Sequence, residues 1–259
     1  MIDFRLLGDV EFRAEGGSLV ALGAKQRAVL AVLLYRANAV VSRAEIVRLV
    51  WGARAEDWPL TVERMVADYV SHLRGALAKA GVGDRVRLVA RAPGFAAELD
   101  PQLVDWHRFR DLSRRSRAAR HGGDCAEAVR LLWEALELWR GPALADLPGR
   151  SLDPLRVRMN DLWLAAAEDV AALDVERGSA GLVADLLGEL FAANPGREQM
   201  AALLIRALLA LGRRDDAVAV YLRARAHMRE ELGLDPSYAL EEAYHAVLTG
   251  TAPAARNVA

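Results

Sequence analysis

The sequence predicts a mainly α-helical protein with two domains, whose small β-sheets are confined to the first hundred residues. Three observations support this fold class. Short apolar stretches bounded by glycine occupy the first 22 residues, helix-type spacing of apolar residues dominates from residue 105 onward, and a glycine-marked motif recurs in that second part. A length of 259 residues also fits two domains of ordinary size.

The composition describes a globular chain and excludes several classes of protein. Hydrophobic residues make up 53% of the chain and charged residues 27%. The longest uninterrupted apolar run, Ala28 to Tyr35, is far shorter than the roughly 18 residues of a membrane span. Asp3 and Arg5 interrupt any apolar segment at the N-terminus, so we expect no signal peptide. These features predict a cytoplasmic protein without membrane contact.

The charge is unevenly divided along the chain. The 34 basic and 35 acidic residues give a net charge of −1, which excludes a generally basic protein that coats nucleic acid and an acidic disordered protein. Residues 1–99 carry 14 basic and 11 acidic side chains, a net charge of +3, whereas residues 100–259 carry −4. This division is typical of a DNA-contacting module joined to an interaction module. Only Lys25 and Lys79 are lysines, and such arginine usage indicates a GC-rich bacterial genome.

The first elements of the chain are short strands and two helices. Apolar residues between Ile2 and Leu22, separated by glycines, predict a small antiparallel meander. A first helix is expected to begin near Ala24. Ser42 is expected to cap a second helix, with Glu45 three residues later completing a capping box.

A third helix is predicted from a cap at Thr61 to about Ala80, followed by Gly81 and Gly83. Its buried stripe is expected to comprise Val62, Val66, Tyr69, Val70, Leu73 and Leu77. The opposite face follows at steps of three and four residues and comprises Arg64, Asp68, Ser71, His72 and Gly75.

A β-hairpin is predicted after the third helix. Its strands are Arg85–Val89 and Phe95–Leu99, and its turn lies in Arg91–Gly94, where Pro-Gly favours a reversal. Strands, three helices and a final hairpin are the parts of a winged helix-turn-helix. In that architecture the third helix enters the major groove of DNA and the hairpin lies against the backbone or the minor groove.

Five ordered segments of the front part resemble the Streptomyces antibiotic regulatory protein family, whose DNA-binding module is of the OmpR type. These segments are Phe4–Gly8, Lys25–Leu30, Leu49–Gly52, Tyr69–Arg74 and Arg91–Phe95. In the second part, Leu138–Asp146 and Glu230–Pro236 resemble the bacterial transcriptional activation domain of the same family. The resemblance implies an activator that binds direct repeats near promoters and that contacts RNA polymerase.

The resemblance and the helical pattern together give the candidate site residues. For the major-groove face we expect Thr61, Arg64, Asp68, Ser71 and His72. For phosphate or minor-groove contacts we expect Lys25, Arg27, Arg74 and Arg91. The family's polymerase-facing loop would be Gly52–Leu60, with the contact residues Glu56, Asp57 and Trp58.

The predicted reading helix departs from the family pattern. The family often carries Asn and Gln at positions matching Arg64 and Ala67, and it rarely places an acid at the position of Asp68. Arg64 would suit guanine or phosphate in place of adenine. Asp68 either accepts a hydrogen bond from cytosine or pairs with Arg64 four residues earlier on the helix surface. The site preference is therefore expected to be unusual, or DNA binding weak.

Internal repeats organise the second part of the chain. Gly178 and Gly212 are 34 residues apart, the period of a tetratricopeptide repeat. Gly123 begins a third copy, 55 residues before Gly178, which corresponds to one period and an insert of 21 residues that includes Trp139–Leu144. Each glycine is expected to end one helix in a left-handed turn, after which a small alanine packs closely.

No chemistry of catalysis or of metal binding is indicated. The five histidines stand apart from one another, Cys125 is the single cysteine, and no glycine-rich phosphate loop or hydrolase motif occurs. We therefore expect no enzyme activity, no cofactor and no metal. Paired acids such as Glu230 and Glu231 are expected on helix surfaces.

The sequence therefore predicts a winged helix-turn-helix over residues 1–99, an all-α repeat domain over 104–249 and a disordered tail over 250–259. The expected function is that of a nucleoid-associated, pathway-specific activator of secondary metabolism. It would bind double-stranded DNA at promoter direct repeats as a homodimer or cooperative multimer and contact RNA polymerase. The alternative is a helical-repeat scaffold that binds a protein or senses an effector, and whose winged helix binds DNA weakly or has lost DNA binding.

Overall fold

The structure is a computed structural model, and it describes residues 2–54, 56 and 58–250. The front elements are β1 (Asp3–Arg5), β2 (Glu11–Arg13), α1 (Ala24–Tyr35), β3 (Val41–Ser42), α2 (Arg43–Trp51), α3 (Val62–Lys79), β4 (Val86–Arg91) and β5 (Gly94–Leu99). A short 3₁₀ turn, Pro101–Leu103, leads into the helical part. Its helices are α4 (Asp105–His121), α5 (Cys125–Leu136), α6 (Asp153–Glu176), α7 (Ala180–Ala193), α8 (Glu198–Ala210), α9 (Arg214–Glu231) and α10 (Tyr238–Thr249).

The predicted mainly helical fold class is confirmed, and so is the predicted antiparallel start. Strands β1 and β2 pair with Phe4 opposite Phe12, and the two buried rings stack with centroids 4.7 Å apart. An antiparallel bridge from Arg13 to Leu19 continues the meander for one further step. Among the described residues, no helix combines the length and apolarity that crossing a bilayer requires.

The first two helices begin where the sequence predicts. Helix α1 starts at Ala24, and the hydroxyl of Ser42 accepts the backbone N–H of Glu45 at 3.1 Å to cap α2. The expected capping box is only half formed, because the Glu45 carboxylate lies 3.2 Å from Arg36. An ion pair to a cation has replaced the return bond to the cap.

Helix α3 buries the predicted stripe with one exception and exposes the predicted face. Val62, Val66, Val70, Leu73 and Leu77 are buried, whereas Tyr69 is half-buried against the ring of Trp51 at 6.0 Å. Thr61 occupies the N-cap position, but its hydroxyl makes no capping hydrogen bond. Its φ of −107° and ψ of 20° lie outside the extended region from which a cap side chain reaches the first turn.

The hairpin is longer than predicted, because pairing continues to Arg91 opposite Gly94. Ala92 and Pro93, joined by a cis peptide bond, form the whole turn. Strand β5 lies between β3 and β4 in a three-stranded antiparallel sheet. A β-carbon at Gly94 would overlap the backbone of β3, so glycine is required at the turn for steric reasons.

The chain forms two compact units, of which the first comprises residues 1–115 and 134–161 and the second comprises residues 116–133 and 162–259. This division differs from the boundary predicted between the sequence domains, which stays a prediction. The loop that follows α5 belongs to the first unit, where the backbone N–H groups of Arg140 and Leu144 donate to the carbonyls of Leu7 and Leu6, each at 3.0 Å. The predicted insert thus packs against the residues that directly follow β1.

One buried carboxylate secures this arrangement in the first unit. Asp105, 2% exposed, accepts the backbone N–H groups of Leu6 at 2.7 Å and Leu7 at 3.1 Å. The guanidinium of Arg140 lies 3.4 Å from the same carboxylate. Burial raises the pKa of Asp105, and these donors oppose that shift.

The second unit confirms the predicted helix pairs. Gly123, Gly178 and Gly212 all have φ between 73° and 82°, the left-handed conformation expected where each first helix ends. Five residues after the first and last of these glycines, Ala128 and Ala217 are fully buried. Small side chains at these positions let the second helix of each pair approach the first closely.

Candidate nucleic-acid interface

The exposed face of α3 is the predicted set of polar residues. Arg64, Asp68, Ser71 and His72 are all exposed, and Thr61 is exposed at the start of the helix. They lie opposite the apolar stripe that holds α3 against α1 and α2. An 18-residue helix is about 27 Å long, so this face presents several turns to a partner.

Of the two alternatives for Asp68, the ion pair with Arg64 is not formed in the structure. Among the described residues neither side chain forms an ion pair or a hydrogen bond, although the two are four residues apart. Arg64 instead borders a shallow depression whose other lining residues are Arg43, Leu60, Thr61, Glu63 and Ala67. Both charges of the α3 face therefore point to solvent without a protein partner.

Two of the predicted phosphate contacts hold the first unit together. The ammonium of Lys25 donates to the carbonyl of Val50 at 2.6 Å and lies 5.1 Å above the Trp51 ring, and burial lowers the pKa of Lys25. Arg27 donates to the carbonyl of Leu22 at 2.6 Å, and its Nε lies 2.8 Å from the carboxylate of Asp146.

The other two predicted phosphate contacts lie at the hairpin. Arg74 Nε donates to the carbonyl of Leu88 at 2.6 Å and so ties α3 to β4. Arg91 lies at the tip, with its side chain 61% exposed and its guanidinium paired with the carboxylate of Glu98. The Arg91 guanidinium is therefore accessible to a phosphate at the tip of the hairpin.

The structure adds two exposed arginines that the sequence analysis did not select. Arg87 projects from β4 between the buried residues Val86 and Leu88, so the alternating pattern of the strand contained the signal. Arg43 is the first residue of α2, and its guanidinium lies 5.5 Å from the centre of the Phe95 ring. The sequence contained this signal too, because Ser42 is the expected cap of α2 and Arg43 is the next residue.

The loop between α2 and α3 is partly described. Trp58 is half-buried and its indole N–H donates to the carbonyl of Gly52 at 2.9 Å, which closes the loop on itself. Glu56 is exposed, whereas Asp57 lies outside the described residues. Leu60, which the sequence analysis did not select, is fully exposed at the end of this loop.

Comparisons with known proteins match two family domains, which are separated between residues 95 and 104. Residues 17–95 match the family described as the C-terminal domain of transcriptional regulatory proteins, and residues 104–248 match the bacterial transcriptional activator domain. The regulatory protein AfsR of Streptomyces coelicolor is 34% identical over 95% of the chain, which spans 24% of that protein. The transcriptional regulator RedD of the same organism is 32% identical over 95% of the chain, which spans 70% of RedD.

A solved structure shows the same fold. Mycobacterium tuberculosis EmbR, in complex with a low-affinity phosphopeptide, superposes with a TM-score of 0.87 at 30% identity over 98% of this chain and 66% of the EmbR chain. The winged-helix frame, the activator-domain match and these relatives agree. The chain therefore belongs to the Streptomyces antibiotic regulatory protein family of transcriptional regulators.

Proposed function

We propose that the chain is a sequence-specific DNA-binding transcriptional activator that reads promoter DNA with the exposed face of α3. The observation that carries the proposal is the free polar face of this helix on a winged-helix frame. The major groove of DNA is wide enough to admit an α-helix. Arg64 is assigned to a guanine or a phosphate, and Ser71 and His72 are assigned to base edges or the backbone.

The exposed cations around α3 are assigned to phosphates. Arg43, Arg87 and Arg91 have accessible guanidinium groups on α2 and on the hairpin. Lys25, Arg27 and Arg74 are assigned a positioning role, because each already donates to a backbone carbonyl. A phosphate contact by these three would have to compete with that bond or share the cation.

Binding by a single copy is expected to be weak. The net charge of residues 1–99 is only +3, and the unpaired carboxylate of Asp68 lies on the reading face. We therefore propose that two or more copies bind direct repeats cooperatively, as the family resemblance implies. Residues 104–249 would supply the contacts between copies.

Activation is assigned to contacts with RNA polymerase. The loop that contains Glu56, Asp57 and Trp58 is the segment that the family resemblance points to, and exposed Leu60 lies at its end. Control of a pathway of secondary metabolism is carried over from the same resemblance.

Fluorescence anisotropy with the purified chain and labelled upstream regions of its own genome tests DNA binding. The expected result is a preference for particular promoters, with an affinity that falls steeply as salt concentration rises. Arg64→Ala should cost about 1–3 kcal/mol of binding free energy and relax the preference at one base position. Binding that is equal on all sequences would contradict a sequence-specific regulator, and no salt-sensitive binding would contradict the whole proposal.

The second candidate function is an interaction scaffold whose winged helix no longer reads DNA. The observation that favours it is that Lys25, Arg27, Arg74 and Arg91 all hold intramolecular partners while Asp68 holds none. A promoter reporter with Arg64→Ala and Arg91→Ala combined separates the two functions. Unchanged reporter output would favour the scaffold, and a loss would favour the activator.

The reporter experiment must use substitutions in the full chain and not a deletion of the repeat domain. Deleting residues 104–249 would also remove Asp105, which binds the backbone of Leu6 and Leu7 directly after β1, and its partner Arg140. Such a deletion would therefore confound loss of the repeats with loss of the DNA-binding fold.

A further inference from the structure

The second unit contains a groove that the DNA-binding function does not use. Helices α7 and α9 both pack against α8, and a space of about 600 Å³ lies between them. Ala184, Leu204 and Leu208 lie nearly buried at its base, with 3–4% exposure. Gly188 on α7 and Ala219 and Val220 on α9 form its more accessible sides.

The α7 side of the groove carries uncompensated negative charge. Asp185 and Glu189 line the groove, are both exposed, and have no ion-pair partner among the described residues. They lie four residues apart, about 6 Å along the helix. Like charges at this spacing destabilise a helix slightly, so nothing in the stability of α7 explains the pair.

The charged side chains on the α9 side of the groove already have partners within the protein. Asp216 accepts a hydrogen bond from Arg213 at 2.8 Å, and that pair lies at one end of the groove. Farther along, Arg223 donates to the carbonyl of Ala192 at 3.0 Å and so joins α9 to the end of α7. The free charge of the groove is therefore negative and lies on α7.

Gly188 leaves the backbone of α7 bare where the groove is accessible. A β-carbon there would meet no atom within 4 Å, so packing inside the protein does not require glycine. Glycine in a helix interior costs about 1 kcal/mol relative to alanine. Its absence of a side chain allows another backbone or a bulky side chain to approach α7 closely.

We propose that this groove binds a basic amphipathic helix of another protein, with small apolar residues facing Gly188 and two arginine or lysine side chains one turn apart facing Asp185 and Glu189. Charge complementarity selects this occupant, because the free charges are acidic and are spaced like successive turns of a helix. The site goes beyond the proposed function, which assigns residues 104–249 to contacts between copies of this chain.

A displayed library of 16-residue helical peptides, with a fixed Ala/Leu stripe and flanking positions varied among Arg, Glu and Ser, tests the proposal on the full chain. The expected result is enrichment of peptides with two arginines three or four residues apart. An enriched peptide, labelled for anisotropy, should bind Gly188→Leu at least tenfold more weakly than the parent. Gly181→Leu is the matched control, because Gly181 is also on α7 with open space around it but does not line the groove.

A second variant tests the charge complementarity of the groove without filling the groove. Asp185→Arg combined with Glu189→Arg should weaken the same peptide at least tenfold and should bind its Glu-for-Arg counterpart more tightly than the parent does. Glu230→Arg, an exposed change outside the groove, should leave peptide binding unchanged. Thermal unfolding verifies that each variant is folded.

Several outcomes would overturn the proposal. They are no enrichment, enrichment of Glu-bearing or neutral peptides, and peptide binding that is insensitive to Gly188→Leu and to the charge reversal. Sedimentation of the chain alone tests whether a second copy of the chain occupies the groove. A dimer that is lost in Gly188→Leu would mean that it does, and would also overturn the proposal. DNA affinity measured on the same preparations is expected to stay within twofold, which separates failure of this site from failure of DNA binding.

Discussion

A β-carbon on Gly94 would lie 1.8 Å from the carbonyl oxygen of Val41. The two residues meet where β5 begins to pair with β3, with Ser42 directly opposite Gly94. Ser42 also caps α2, so the start of the hairpin and the start of this helix share one short segment. The position of the wing thus depends on a residue without a side chain.

Gly94→Ala should therefore destabilise the first unit. The new methyl group overlaps backbone atoms, which can move only if β3 and β5 separate, and the expected loss is about 3 kcal/mol in the free energy of unfolding. Urea denaturation followed by tryptophan fluorescence measures it. Gly75→Ala is the control, since its β-carbon meets open space on exposed α3 and should stabilise the helix by up to about 1 kcal/mol. Equal stability of both variants would contradict the steric role of Gly94.

Much of the front fold could be predicted because its signals are local. Ser42 with Glu45 marked the start of α2, and apolar spacing on α3 separated Val66 and Val70 from Arg64. The Pro-Gly pair marked the hairpin, although pairing extends to Arg91 and Gly94. Local spacing fixes which residues face the core, and it leaves the last residue of a strand undetermined.

Long-range partners could not be predicted in this way. Asp105 binds the backbone N–H groups of Leu6 and Leu7 across about a hundred residues of chain, and no periodicity encodes that contact. For the same reason Arg27 and Arg74 were predicted from the sequence to be free for phosphate contacts. Their side chains are held by Asp146 and by the Leu88 carbonyl, which only the folded chain brings near.

Asp68→Asn should strengthen DNA binding. The carboxylate is exposed on the reading face without a cationic partner, so it repels phosphates, and its removal is expected to tighten binding about three- to tenfold. Anisotropy titrations at two salt concentrations measure the change. Asp84→Asn removes one exposed charge from the loop after α3 and should have a smaller effect. An equal gain from both variants would assign the effect to net charge, and a loss of affinity in Asp68→Asn would instead indicate a base contact.

Glu98→Gln should free Arg91 at the tip of the hairpin. The ion pair between them competes with any phosphate for the guanidinium, and the Arg91 side chain is already 61% exposed. We expect affinity to rise a few-fold and the slope of log affinity against log salt to steepen by about one, whereas Arg91→Ala should weaken binding evenly across sequences. The double variant tests the mechanism, because Glu98→Gln should have no effect once Arg91 is absent. A persisting gain in the double variant would show that Glu98 acts independently of Arg91.

His107 should make the stability of the first unit depend on pH. Its Nε2 lies 2.8 Å from the carbonyl of Leu34, so this nitrogen carries the hydrogen and joins α4 to α1. Burial lowers the pKa of His107 below its ordinary value of 6.5; the hydrogen bond opposes this shift and the charge of Arg110 adds to it. The unfolded chain therefore takes up this proton first as pH falls, and the free energy of unfolding decreases from about pH 7 down through the folded-state pKa.

His107→Gln separates this titration from that of other groups. The glutamine amide can donate to the same carbonyl without titrating, so urea denaturation between pH 8 and 5 should give a flatter pH profile for the variant than for the parent. At pH 8, where the imidazole is neutral in both folded and unfolded chains, only the difference in packing should remain between the two proteins. Parallel profiles over the whole range would mean that the proton on His107 is bound equally in both states. The contact with Leu34 would then contribute packing and a hydrogen bond but no sensitivity to pH.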